Sequence, residues 1–310
     1  MTRRLSRSAF ERAARFMREE ARPLEHALFA FYFEGGRRTG VLAALVPFQN
    51  PDGGFGHGLE PDMRSPASSV IATVTALDIL RGVGADEDTP GLPAALAYLV
   101  GAYDVETERW PIVPPEVEDA PHAPWWSYAD SVETYRSFWA NPRAAVVGYL
   151  QQFNRLAPSP FKEGARHAVV NDLMRYPQHM EMHDLLCFVD LLETDGLPRE
   201  HYEGILDKLR RALPQSVSTT AEEWDDYGLQ PIQVVRSPES PLHGVIDPAV
   251  IDANLDHLIN RQQPDGSWRP NWSWDFVDAA AWAVAEREWR GVLTLRALRT
   301  LQAYDRIDTV

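Results

Sequence analysis

The sequence predicts an all-α chain, and three observations carry that reading. Apolar residues recur at helical spacing along most of the length, as in Phe10, Ala13, Ala14 and Met17, or Val70, Val74 and Leu77. No alternating apolar–polar run of useful length marks a strand. Clusters of Pro, Gly, Asn and Asp fall between the apolar segments and cut them to ordinary helix lengths.

Taken in order, residues 6–33 read as two helices separated near Pro23, followed by the turn Glu34-Gly35-Gly36. Gly40 to Phe48 reads as a further apolar helix, stopped by Gln49-Asn50-Pro51-Asp52-Gly53-Gly54. Ser65 and Pro66 read as the N-cap and first position of a helix reaching Leu80, and residues 92–101 as another helix. Residues 104–138 break the pattern. Prolines at 111, 114, 115, 121 and 124 interrupt any helix, and aromatics at 110, 125, 126, 128 and 135 lie between them. A long loop this rich in Trp reads as structured rather than disordered. After Asn141-Pro142 helices resume at 143–155, 160–175, 179–194 and 199–213. A Pro/Ser-rich excursion covers 214–245, and helices return at 247–262 and 287–304. About eleven helices result. No linker divides them, so residues 1–310 read as a single domain with loop insertions at 104–139 and 214–245.

The 310 residues are 45% hydrophobic, enough to bury one large core or two ordinary ones. Acidic residues outnumber basic ones 45 to 30, for a net charge of −15. That balance disfavours nucleic acid as a partner, and equally docking on anionic lipid by bulk charge. A single cysteine, Cys187, excludes an internal disulfide and a thiolate metal cluster. No apolar leader and no run of about 18 apolar residues is present, so the expectation is a cytoplasmic protein without a transmembrane segment. The ten Trp are many for this length and point to a large aromatic surface. No cofactor or metal is implied by any motif, and the oligomeric state stays open.

One heptapeptide recurs. Gln49-Asn50-Pro51-Asp52-Gly53-Gly54-Phe55 matches Gln262-Gln263-Pro264-Asp265-Gly266-Ser267-Trp268 at an offset of 262 − 49 = 213 residues. Gln, Pro, Asp and the first Gly are identical, and the last position is aromatic in both. Each copy ends an apolar helix and is followed by a helix carrying Ala-Leu-x-x-Leu, at Ala76–Leu80 and Ala297–Leu301. Pro and Asp-Gly build a turn that needs positive φ at Gly. The Gln amide is suited to backbone groups left open at a helix end.

Gln-x-x-Asp-Gly-Gly-Phe-Gly at 49–56 resembles the repeat of protein prenyltransferase β subunits. Gln-x-x-Asp-Gly-Ser-Trp at 262–268 is similar to the repeat of squalene-hopene and oxidosqualene cyclases. The resemblance implies an α/α toroid, a ring of helical hairpins around a central cavity. It implies an apolar isoprenoid as the ligand and acid-initiated carbocation chemistry. In such rings the segment after each turn faces ligand, which here is His57-Gly58-Leu59-Glu60-Pro61-Asp62-Met63-Arg64. Glu60 and Asp62 are then candidate acids, and His57 and Arg64 candidate ligand contacts, Arg64 near where the prenyltransferases contact diphosphate. Glu288, Trp289 and Arg290 form the analogous mouth before the last helix. Asp184 is a third candidate acid.

The signature motifs of that chemistry are missing. Neither Asp-x-Asp-Asp nor Asp-Asp-x-x-Asp occurs, the nearest approach being Glu223-Trp224-Asp225-Asp226. His183-Asp184-Leu185-Leu186-Cys187 does not reproduce the prenyltransferase zinc spacing. An acid would have to keep its proton by desolvation or a like-charged neighbour. Trp125, Trp126 and Trp139 suit stabilisation of carbocations, but sugars stack on aromatics too. Two other readings therefore stand beside an isoprenoid enzyme. One is a carbohydrate-active α/α barrel using paired carboxylates. The other is a toroid that binds without catalysis. An enclosed apolar cavity favours the first function, an open acidic groove the second.

Overall fold

The computed structural model describes residues 2–129 and 138–308; Tyr135 of the Trp-rich loop lies outside them. Among the described residues the chain is all-helical, with thirteen α-helices and no strand, and an α/α toroid is compatible with it. The helices are α1 (Arg7–Glu19), α2 (Pro23–Phe33), α3 (Arg38–Leu45), α4 (Val70–Gly82), α5 (Leu92–Gly101), α6 (Arg143–Gln152) and α7 (Ser159–Arg175). There follow α8 (Met182–Leu192), α9 (Arg199–Ser216), α10 (Ala221–Asp225), α11 (Pro231–Val234), α12 (Pro248–Asn260) and α13 (Ala279–Ala303). Among the described residues no helix is long and apolar enough to cross a membrane. Contacts divide the chain into two compact units. One is mid-chain, Leu45–Gln215, and one is terminal, Met1–Ala44 with Ser216–Val310.

In the mid-chain unit α4 packs on α5, and α6 on α7 and α8. α6 is buried along its whole length from Arg143 to Gln151, so it has no solvent face to be amphipathic about. Its one cation, Arg143, is held by Asp172 of α7. α9 buries a single stripe, Ile205, Leu209, Ala212 and Leu213, at the spacing of one helix face. The two lysines of the chain, Lys162 and Lys208, are both buried here. Lys162 donates to the carbonyl of Asn154 beyond α6 at 3.0 Å, and Lys208 to that of Tyr176, the C-cap of α7. Each cation thus meets carbonyls that helix geometry leaves open.

In the terminal unit α1, α2 and α13 pack against one another. The chain ends are laced together: Leu5 N donates to Arg306 O at 2.7 Å, and Asp308 N to Leu5 O at 3.0 Å. The Arg306 side chain, 4% exposed, donates to the Arg3 carbonyl and to Asp252 and Asp256 of α12.

Each unit holds one copy of the repeated turn, and the copies bond alike. Gln49 Nε2 donates to Gly53 O and Gly91 O at 2.9 and 2.8 Å. Gln262 Nε2 donates to Gly266 O and Ala9 O at 3.0 and 2.9 Å. Gly53 and Gly266 have φ of +90° and +95°, and a Cβ on either would lie 2.3 Å from the backbone of Ala94 or Arg12. Only Gly fits both demands. The match extends to the helices. Gly91 and Ala94 flank the start of α5, and Ala9 and Arg12 lie three apart on α1. In the terminal unit, therefore, the helix that follows α13 in the repeat is supplied by the N-terminal α1.

One substitution inside the repeat has its compensation. The Ser267 hydroxyl donates to Asp265 Oδ1 at 2.8 Å. Gly54 has no side chain there, and the Ser68 hydroxyl makes the equivalent bond to Asp52 at 2.8 Å. A Cβ at Gly54 would lie 2.6 Å from that of Ser68.

Several boundaries differ from the sequence reading. α4 starts at Val70 with Ser69 as N-cap, its hydroxyl accepting from Ala72 N at 3.1 Å. Ser65 instead sits in a non-helical stretch, stiffened by Pro61 and Pro66, where its buried hydroxyl donates to Glu116 O at 3.0 Å. Pro47 converts the end of the 40–48 helix into a 3-10 turn over Val46–Phe48. α13 begins at Ala279, eight residues before the expected 287, because Asp278 caps it through Ala281 N. The 214–245 excursion contains two short helices, α10 and α11.

Candidate functional site

The segment after the first turn is non-helical and clamped. Met63 pairs with His122 in an isolated antiparallel bridge, where Ala123 N donates to Asp62 O at 2.8 Å and Arg64 N to Pro121 O at 3.0 Å. This leaves the Glu60 and Asp62 residues 8% and 2% exposed. Carboxylates so far from water are unusual and point to a functional or network role. Arg64 folds its guanidinium onto Gly58. His57 has a φ of +56°, and its Nε2 lies 2.8 Å from Asn50 Oδ1, which ties it back to the turn.

Asp184 lies in the first turn of α8 and is fully buried. Its oxygens accept from the backbone N–H groups of Trp139, Ala140 and Asn141 and from the Tyr176 hydroxyl, all at 2.7–2.8 Å. Burial, then the bond to Asp184, push the Tyr176 hydroxyl above its usual range. Burial likewise raises the Cys187 thiol, reinforced by Asp190, Asp184 and Glu181, so a thiolate is disfavoured. Among the described residues no cluster of three His, Cys, Asp or Glu is arranged to hold a metal. Before α6, Trp125 and Trp139 are more than a third exposed, while Trp126 is half-buried. Trp139 packs on Tyr176 with ring centroids 5.2 Å apart.

The third place is α13 in the terminal unit. Glu288, Trp289 and Arg290 are inside this helix rather than before it, so successive side chains diverge by about 100°. Arg290 bonds Asp265 and Ser267 and lies over the Phe16 ring at 5.0 Å. Trp289 meets Trp272 edge-on at 5.1 Å, and Trp272 meets Tyr227 edge-on at 5.9 Å. Glu288 reaches α2, where Arg22 Nη1 lies 3.4 Å from its Oε2. The same guanidinium forks onto Glu25 through Nε and Nη2, both at 2.7 Å. Gly291 faces the start of α2: a Cβ there would be 3.3 Å from Ala21 Cβ and 3.4 Å from Glu25 Cγ. Sequence reasoning missed Arg22 and Glu25. The available signal was Arg22 three residues before Glu25 at a Pro-initiated helix start, the spacing of an ion pair.

Between α1 and α13 lies an open cleft of about 480 Å³. Arg15, Glu20, Asp265, Glu286, Arg287 and Arg290 give it a charged wall. Of the sequence candidates only Arg290 lines it. Burial works to raise the Asp265 carboxyl, but the Ser267 N–H and hydroxyl and Arg290 outweigh it and hold the group below its ordinary range.

No family model, curated protein or solved structure matches this chain.

Proposed function

We propose that the chain acts on a hydroxylated ligand of the carbohydrate class, at the junction of α2 and α13. One observation carries this reading: a single guanidinium, Arg22, holds two carboxylates, Glu25 and Glu288, and the next residue along α13, Trp289, begins the aromatic series Trp289–Trp272–Tyr227 on a diverging face of the same helix. Sugar recognition uses these parts, aromatic faces for the ring and carboxylates as acceptors for hydroxyls. Glycoside cleavage also needs two carboxyl groups in different roles. Glu25, forked onto Arg22 by two hydrogen bonds, is the one assigned to accept from the ligand's hydroxyls. Glu288, with its single longer contact to Arg22, is the one assigned to proton transfer. The charged cleft between α1 and α13, which these residues do not line, fits a polar ligand better than a polyprenyl chain, which needs an apolar wall.

Isothermal titration against a panel of oligosaccharides, with aryl glycosides as turnover probes, tests this. Saturable binding lost in Trp272→Ala, with turnover lost in Glu288→Gln, supports it. A null result across the panel, alongside conversion of squalene or a polyprenyl diphosphate, overturns it.

The isoprenoid reading is favoured by one feature, the turn repeat, which both units build with the same bonds. That is a property of the scaffold and does not choose a reaction. In that reading Glu60 and Asp62 are the proton donors, and Asp62→Asn should abolish conversion of the isoprenoid.

A further inference from the structure

In the mid-chain unit Arg166 of α7 lies between Gln151 of α6 and His201 of α9, and among the described residues each of the three buries a side-chain nitrogen without a hydrogen-bond partner. Gln151 of α6 is 3% exposed; its Oε1 accepts from Arg166 Nη1 of α7 at 2.9 Å, while its Nε2 is buried without a partner. Arg166 Nε is buried and unpartnered too, and among the described residues this guanidinium forms no ion pair. His201, in the first turn of α9 with its side chain 14% exposed, buries an Nδ1 that also lacks a partner. The His167 ring stands edge-on to it at 5.2 Å. One acid is near: Glu200 Oε1 is 4.0 Å from His201 Nε2, on a side chain 82% exposed.

We propose that Gln151, Arg166 and His201 form a binding site for a small oxyanion, with a phosphate group as the ligand chemistry. The orphaned atoms are an amide N–H, a guanidinium N–H and an imidazole nitrogen that donates in its Nδ1–H tautomer. Each buried donor left unsatisfied costs about 1–3 kcal/mol, so the group needs an acceptor to share. An oxyanion accepts from all of them, and an Arg edge is matched to phosphate geometry. Burial, then Arg166 and His167, hold the His201 imidazole below its usual range, so the neutral ring is favoured and Arg166 supplies the fixed positive charge.

The test uses the intact protein at fixed ionic strength. Inorganic phosphate and glycerol phosphate are titrated by calorimetry and by thermal shift, with chloride as the control. Saturable binding is expected, weakened at least tenfold in Arg166→Gln. Tighter binding of glycerol phosphate identifies a phosphate ester as the source; binding of inorganic phosphate alone identifies the free ion. If Arg166→Gln does not fold, His201→Asn reads the same site and should weaken binding as well. No response beyond chloride, or unchanged binding in the folded variants, overturns the site and leaves water as the partner of these donors. The result is independent of the saccharide proposal, which rests on residues of the terminal unit.

Discussion

The backbone N–H of Trp268 donates to the hydroxyl of Thr294 at 3.0 Å, and both residues are buried. Phe55 makes the same bond to Thr73 at 3.0 Å. Each hydroxyl lies three residues before the Ala-Leu-x-x-Leu of its helix, so the anchor is part of the repeat. Thr294→Val keeps the shape and removes the acceptor. A buried N–H then goes unsatisfied, at a cost of about 1–3 kcal/mol. Urea melting should show this for Thr294→Val and Thr73→Val alike; unchanged midpoints would remove the anchor from the argument.

Trp268 fills the gap beside its turn, 4% exposed, and its indole N–H donates to Leu258 O at 2.8 Å. Trp268→Ala should cost about 3–5 kcal/mol. Phe276, 76% exposed, is the control, and its replacement by Ala should stay within about 0.5 kcal/mol. Comparable losses in the two variants would contradict the burial.

The repeated turn was legible because its bonds are local: Gln, Asp and Gly act on groups within four residues of themselves. The closing partner was not legible. Nothing in the sequence pairs Gln262 with Ala9, 253 residues earlier. Helix starts went astray where a cap had a rival. Ser65-Pro66 has the composition of an N-cap, but Ser69 takes that role and leaves Ser65 to Glu116. Glu288, Trp289 and Arg290 looked like one mouth because they are adjacent in sequence. Inside a helix, adjacency separates them, toward Arg22, Trp272 and Asp265. Arg22 and Glu25 escaped because their partner lies on the last helix, far along the chain.

Asp265 sets a pH dependence. Its folded-state pKa lies below the ordinary 3.8, so the ionised form stabilises the fold at pH above that value. That stability is lost as pH falls from about 3.8 through the lower folded value. The effect is small and salt-sensitive, because half of the side chain is exposed. Asp265→Asn should therefore be less stable than the parent at neutral pH and should lose less on acidification. Thermal melts from about pH 6 to pH 2.5 read the two limbs; parallel curves would show that Asp265 contributes nothing.

Lys162 and Lys208 are the only lysines, 9% and 5% exposed, and each amine is turned to a carbonyl. Burial, then Arg211, lower the Lys208 amine below its usual range, but it has no route to reagent. An amine-reactive ester should leave both lysines unmodified in the native protein and label both in urea. Peptide mass spectrometry reads the two sites separately. Rapid native labelling of either would show that its helix opens locally.

Asp184 offers the sharpest division between a structural and a chemical carboxylate. Its Oδ1 accepts from Ala140 N and Asn141 N, and its Oδ2 from Trp139 N and the Tyr176 hydroxyl. Four donors thus satisfy a fully buried anion, and the N-terminal turn of α8 adds the favourable end of its dipole. Bonds to a charged group contribute about 1.5–3 kcal/mol each. Asp184→Asn turns one acceptor oxygen into an N–H₂ group facing those donors, so at least about 3 kcal/mol should be lost. Tyr176→Phe removes one bond and leaves the other three, for about 1.5–3 kcal/mol. Denaturant melting ranks the two variants, with Asp184→Asn the less stable. If Asp184→Asn instead melts with the parent protein, the four bonds do not hold residues 139–141 in place. Asp184 then returns to the list of candidate acids, to be tested by turnover beside Glu60 and Asp62.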